Sequence, residues 1–377
     1  MTIEDKPVNI MASNQTTGIS VNLSTGEVNA GTVQFRNRII NGDMRIDQRN
    51  AGSIVSTGSG YNVDRWTLAR SSTAVVSAQQ ITGPTQLGFQ KAIELKVTTS
   101  TTLSTSQFYL LDHRIEGLNA SDLNWGTSSG SSVTLSFWAN PSLTGIYNVA
   151  LRNTSLNRSY ITETTLTANT WQYVAITIPP ETSGTWFVTN AIGIFISIIL
   201  GCGSSLQNTR NSWIVGTGPL SIGYIASSSS VTNFLATVNN TFKLTGVQLE
   251  KGSKATPFEF RPFAAELQLC QRYFMKTYNY DVIPGTIGFP GAIGGFSPAI
   301  SYMWCFTCPT ALRTNPSTIT AYAAMTGTMH KYNLGGGTTD YDVTYFTNSE
   351  RSILLYANAN GQINNYYYVH LTIDSEL

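Results

Sequence analysis

Short runs in which every second residue is apolar, each closed by residues that interrupt extended chain, dominate this sequence. Ile93, Leu95 and Val97 alternate with Glu94 and Lys96. Val133, Leu135 and Phe137 alternate with Thr134, Ser136 and Trp138. Val174, Ile176 and Ile178 alternate with Ala175 and Thr177 before Pro179-Pro180. Successive side chains of a strand point to opposite faces, so this pattern belongs to antiparallel sheets with one buried face. Such a face must be covered by a second layer, and the many runs within 36–260 predict a two-sheet sandwich. A βαβ arrangement is excluded because no helical pattern separates the runs. Ala191 to Leu200, the longest apolar run, is half the length of a membrane-spanning helix and reads as a buried strand.

One segment departs from period two. Phe263, Leu267, Cys270 and Phe274 recur at spacings of four, three and four, which is one face of a helix. Pro262 suits a first helical turn, and Glu266 lies near the positive N-terminal end. The spacing predicts a helix from Pro262 to about Lys276, within a linker spanning 261–278. Residues 279–377 return to β character with loops such as Pro284-Gly285 and Gly335-Gly336-Gly337, enough chain for a smaller C-terminal β-sandwich domain. Residues 1–35 are polar and irregular, with one small hairpin where Val21 to Leu23 meets Val28 across Ser24-Thr25-Gly26. They lack a core of their own, and read either as a disordered tail or as an extended N-terminal segment that orders against a partner protein.

Composition narrows the function classes. Charged residues are 11% of the chain against about 25% in an average soluble protein, and Ser, Thr, Asn, Gly and Tyr take their place. Aromatics at 11% and a net charge of +1 exclude a disordered chain. The same balance argues against nucleic acid as a partner, which requires clustered Lys and Arg. Weak surface charge favours association, as in a subunit of an assembly. Cys202, Cys270, Cys305 and Cys308 are too few and too uneven for a disulfide scaffold. Glu4 and Asp5 stand where a signal peptide would be basic, and no apolar stretch follows, so synthesis in a cytoplasm without export is expected, with no membrane insertion.

Several phrases recur in a recognisable order: Asn37-Arg-Ile-Ile-Asn-Gly-Asp-Met44, Asp64-Arg65-Trp66, Ile115-Glu-Gly117, Thr134-Leu-Ser-Phe-Trp138, Thr170-Trp-Gln-Tyr-Val174 and Thr245-Gly-Val-Gln-Leu-Glu-Lys-Gly252. Together they resemble the jelly-roll, carbohydrate-binding-module-like domain of bacteriophage tail fibres and related virion proteins. Leu269-Cys-Gln-Arg-Tyr-Phe274 and the final Tyr368-Val-His370 to Glu376-Leu377 are similar to segments that follow it in those proteins, so the resemblance covers about residues 36–377. It implies an all-β fold: an N-terminal virion-attachment segment (1–35), an antiparallel jelly-roll sandwich (36–260), the linker helix and the distal β domain (279–377). It also implies a virion location in an external appendage, a homotrimer, tail proteins as partners of the N-terminal segment, and host surface glycan as a ligand of the distal domain. A purely structural baseplate, neck or capsid-fibre subunit, a polysaccharide depolymerase and a secreted carbohydrate-binding module are the rivals.

No catalytic constellation assembles, so the protein is expected not to be an enzyme and to need no cofactor. His113, His330 and His370 are far apart and lack metal-ligand spacing. His113, within Asp112-His113-Arg114, reads as a surface or sheet-edge residue. Cys305-x-x-Cys308 has no second pair for a zinc site and reads as packing. Asp43, Asp64, Glu116 and Glu250 read as structural carboxylates rather than an acid–base pair. In the modules that the sandwich resembles, calcium joins the opening turn to aspartates of the last strand. Here Arg45 and Thr245-Gly246 occupy those places, which argues against a metal. Trp66, Trp138 and Trp171 read as sandwich core. Glycans offer apolar C–H faces and hydroxyls, so aromatic residues of the C-terminal block are the contact candidates. The glycan or interface candidates are Tyr278, Tyr280, Phe289, Trp304, Tyr341, Tyr345 and Tyr367.

Overall fold

A computed structural model of the protein describes residues 19–22, 27–30, 36–56, 59–215, 227–297, 301–358 and 365–377. β1 (Ile19–Asn22) pairs antiparallel with β2 (Glu27–Ala30), Val21 opposite Val28, as the hairpin reading requires. The rest of the segment read as a virion attachment lies outside the described residues.

Among the described residues, twelve strands build the sandwich: β3 (Gly60–Val63), β4 (Trp66–Arg70), β5 (Val75–Thr82), β6 (Lys91–Thr99), β7 (Phe108–Glu116), β8 (Val133–Pro141), β9 (Gly145–Arg152), β10 (Arg158–Leu166), β11 (Gln172–Ile178), β12 (Ile192–Cys202), β13 (Trp213–Val215) and β14 (Thr241–Lys251). They form a five-stranded sheet, β11-β8-β14-β6-β5, and a seven-stranded sheet, β13-β10-β9-β12-β7-β4-β3. Every ladder is antiparallel, and from β6 onward the chain crosses repeatedly from one sheet to the other in jelly-roll fashion. Ile93, Leu95, Val97, Val133, Leu135 and Phe137 meet Leu111, Ile115, Ile194, Ile196 and Ile198 in one inter-sheet core. β12 is central and buried on both faces, because Ile199 and Cys202 pack into a second cluster with Phe108 and Leu110 on the far side. That double burial explains why apolar residues occupy both faces of the strand, interrupted by Gly193 and by Ser197, which bonds to Asp112 and Arg152.

Three assignments need correction. His113 is fully buried rather than at a surface or edge: β7 carries it beneath Trp66, ring centroids 4.9 Å apart, with Nε2 3.0 Å from the carbonyl of Ile40. Burial and the charge of Arg65 hold its pKa well below the ordinary value. Trp138 lies on the outer face of its sheet, half-buried against Tyr173 at 5.3 Å, because Phe137 takes the inward side. Trp171 is half-buried, and only Trp66 of the three is core.

Helix α1 spans Phe263–Gln271 and ends five residues before Lys276. Phe274, read as its last apolar position, opens β15 (Phe274–Lys276) instead. The remaining strands are β16 (Ile293–Ser297), β17 (Ser301–Thr307), β18 (Thr318–Ala323), β19 (Lys331–Leu334), β20 (Asp340–Asn348), β21 (Ser352–Asn358) and β22 (Asn365–Asp374). β22 is the hub: β15 and β16 pair along it, and so do β18 and β19, with β20, β21 and β17 continuing from β19. Val369, Leu371 and Ile373 of β22 face Ile353 and Leu355 of β21 across a second core. No helix among the described residues is long and apolar enough to cross a membrane.

Candidate glycan-contact surface

The outward row of β22 changes character along its length. His370 is buried, Tyr368 is half-buried, and Tyr366 is 55% exposed. The loop after β15 makes the difference, since it covers the end of the row nearest the sandwich. Tyr278 stacks flat on His370 at 3.7 Å, Thr277 Oγ1 donates to His370 Nδ1 at 3.3 Å, and His370 Nε2 donates to the carbonyl of Gly288 at 2.8 Å. These partners fix the Nε2–H tautomer, and burial lowers the imidazole pKa.

Farther along, the cover gives way to paired rings. Phe289, 42% exposed, meets Tyr368 edge-on at 4.8 Å, and Phe296, 52% exposed, meets Tyr366 at 5.3 Å. β16 presents Phe296 directly opposite Tyr366 in register, and Gly295 stands opposite Tyr367. A Cβ on Gly295 would collide with the Tyr367 hydroxyl, so glycine is what lets that ring lie inward beneath the strand.

Of the seven positions singled out from sequence, Phe289 faces solvent. Tyr278 and Tyr367 are buried, the first by its stack on His370, the second in the core row with Val369, Leu371 and Ile373. Tyr280 lies half-buried at the seam between the two cores. Tyr341 is half-buried against the second core, 5.5 Å from Tyr332. Trp304 and Tyr345 lie on β17 and β20, and their side chains fall outside the described set. The exposed rings that sequence reasoning passed over are Phe296 and Tyr366. Parity held the signal: apolar Val369, Leu371 and Ile373 are odd-numbered, so Tyr367 must share their face and Tyr366 the opposite one.

The four carboxylates of the recognised phrases are all buried and all engaged. Glu116 accepts from Arg272 Nη2 at 2.6 Å and from the Tyr273 hydroxyl at 2.6 Å. Glu250 accepts from Thr256 N at 2.8 Å and Thr256 Oγ1 at 2.7 Å. Asp64 accepts from Gln48 Nε2 at 2.6 Å with Arg49 at 3.6 Å, and burial pushes its carboxyl up to about 7. Asp43 pairs with Arg45. The opening turn is itself a knot: Asn41 Nδ2 donates to the carbonyls of Ile46 and Asp64, and Trp66 Nε1 donates to the Asn41 carbonyl. A Cβ on Gly42 would collide with the carbonyl of Val247, on the closing strand β14. Cys305 is exposed and Cys308 buried, its thiol pushed up to about 11 by burial. Among the described residues, no three His, Cys, Asp or Glu side chains gather as a metal site.

No family model matches the chain, and no curated protein matches it. Among solved structures it is similar to the enzymatically active domain of tailspike protein 4 of bacteriophage CBA120, at 15% identity and a TM-score of 0.30, covering 56% of this chain and 23% of that one. The chain thus spans under a quarter of the tailspike domain's length. It is also similar to the family 11 carbohydrate-binding module of a cellulosomal cellulase of Clostridium thermocellum (12% identity, TM-score 0.28, 54% of this chain and 98% of that). A third similarity is to TmCBM61 in complex with β-1,4-galactotriose (10% identity, TM-score 0.27, 58% and 99%).

Proposed function

We propose that this protein is a non-enzymatic bacteriophage virion subunit, a tail fibre or receptor-binding protein. In this account it attaches to the tail through its N-terminal segment and contacts host surface glycan through its distal β domain. The observation that carries the proposal is the pair of ring contacts Phe289–Tyr368 and Phe296–Tyr366 on the outer side of β16 and β22, in which Phe289, Phe296 and Tyr366 are exposed. Exposed aromatic faces are what the C–H faces of sugars pack on, and rings clustered at a surface mark an interface. The ordered phrases from Asn37 to Gly252, with their resemblance to phage fibre domains, supply the biological setting. The four phrase carboxylates are committed to structural partners, which supports a binding role over acid–base chemistry.

Fluorescently labelled full-length protein should adhere to cells of particular strains in a bacterial panel and block phage adsorption to them. It should release no reducing ends from their capsule or lipopolysaccharide. Absence of adhesion across the panel leaves a purely structural virion part, and reducing-end release makes the protein a depolymerase. The proposed homotrimer predicts a solution mass three times the 41.0 kDa chain by light scattering, and a monomer at micromolar concentration removes it.

A further inference from the structure

Away from the exposed rings, a cleft of about 340 Å³ opens where the rim of the sandwich, the start of α1 and the loop after β15 meet. Its volume falls within the roughly 300–1,000 Å³ of small-molecule sites. Arg45, Gln80, Gln90, Lys91, Phe263, Tyr280 and Asp281 are among the residues that line it.

The residues fall into two kinds. Phe263 is 44% exposed, and its ring stands at 88° to that of Tyr280, centroids 5.3 Å apart, forming a two-walled apolar corner. The Tyr280 hydroxyl is spent on the backbone, donating to the Arg45 carbonyl and accepting from Asp47 N, so the ring is fixed in place. Opposite stand groups that hydrogen-bond. On β5 the inward row runs Val76, Ala78, Gln80, Thr82, and on β6 its partners run Val97, Leu95, Ile93, Lys91, so Gln80 stands opposite Ile93 and Thr82 opposite Lys91. Both rows turn from apolar to polar where the sandwich opens into the cleft. Gln80, only 9% exposed, is anchored by donating to the Met44 carbonyl at 2.6 Å, while Gln90 is exposed. Arg45 is paired with Asp43, and Lys91 and Asp281 add one charge of each sign to the lining.

We propose that this cleft is a saccharide subsite that seats a neutral pyranose unit, its C–H face on the Phe263–Tyr280 corner and its hydroxyls toward Gln80, Gln90 and Lys91. It rests on the glycan-binding reading above and adds a site separate from the distal rings. Fixed rings with a few convergent amides are what orients an uncharged polyol, and a lining whose charges sum to zero once Arg45 is paired with Asp43 holds no excess of cations for an acidic sugar.

The full-length protein, screened on an array of defined oligosaccharides carrying neutral hexose, N-acetylhexosamine or uronate units, supplies ligands for calorimetric titration. For at least one neutral ligand, Phe263→Ala should weaken binding ~10-fold and Gln90→Ala about threefold, while Phe296→Ala on the distal face changes nothing. Both substitutions are at exposed positions, and an unchanged thermal midpoint confirms the fold. If every ligand is insensitive to Phe263→Ala and Gln90→Ala but sensitive to Phe296→Ala, the cleft is overturned while glycan binding stands. Sensitivity confined to uronate ligands overturns the neutral assignment. No binding to the array or to cells overturns both.

Discussion

The two ends of β22 present opposite chemistry. At the seam, Asp374 pairs with Arg49 at 3.0 Å, and Arg49 also reaches Glu376 at 3.3 Å and lies 3.7 Å over the Phe274 ring. Arg65, almost wholly buried, pairs with Glu376 and sits 3.5 Å over Tyr273. At the other end, Phe296 and Tyr366 are exposed and uncharged. A chain poor in charge thus spends much of what it has on locking two cores together, and leaves its distal face to aromatic rings. A buried charge is tolerable only when paired, so the seam is rigid and intolerant of loss, while exposed rings are replaceable for folding. Buried charge serves construction here, and the exposed rings are where the proposed glycan contact is to be sought.

The largest effect should come from the seam. Glu116→Ala removes the acceptor of the Tyr273 hydroxyl and of Arg272 Nε and Nη2, leaving Arg272 the Ala311 and Leu312 carbonyls, and should cost about 3 kcal/mol in denaturant unfolding. A cost no greater than that of an exposed ring would break the contrast. Tyr367→Ala removes a core ring and should cost roughly 3 kcal/mol by the same measurement.

His370 has a folded pKa below its unfolded value of about 6.5, so it stays neutral when buried and protonates first in the unfolded chain. Its contribution is intact above that value and is lost as pH falls through the window beneath it. Asp64 and its raised pKa act in the opposite sense, so the difference between the unmodified protein and His370→Gln is the quantity to follow. Within that window the substitution should flatten the pH dependence of stability by up to about 1.4 kcal/mol per pH unit. Parallel curves would show that His370 titrates alike in the folded and the unfolded chain. Smallest of all, Tyr366→Ala should shift stability by no more than about 0.5 kcal/mol.

Much of the fold was legible because alternation is local. β6, β8, β11 and β12 fall where period two and the apolar run place them. α1 was legible as a helix but not in length. Phe274 continues the helical spacing, yet it pairs with Asp374, a hundred residues away, and that partnership outweighs the local pattern. The seam was illegible for the same reason: Arg65 and Glu376 are separated by 311 residues, and no spacing rule connects them. Burial of His113 followed from Trp66 and Ile40, on other segments. The contact surface was half legible. The aromatic richness of the C-terminal block pointed to the right region, and the parity of Tyr366 to Ile373 held the correct choice of ring, but the cover over Tyr278 depends on the path of a loop.

The most direct test combines the two exposed rings. Phe296→Ala with Tyr366→Ala in the full-length protein should leave its thermal midpoint within a degree or two of the original, yet reduce adhesion to susceptible cells by ~10-fold or more. Adhesion equal to that of the unmodified protein, with the fold intact, would contradict the assignment of that face to recognition.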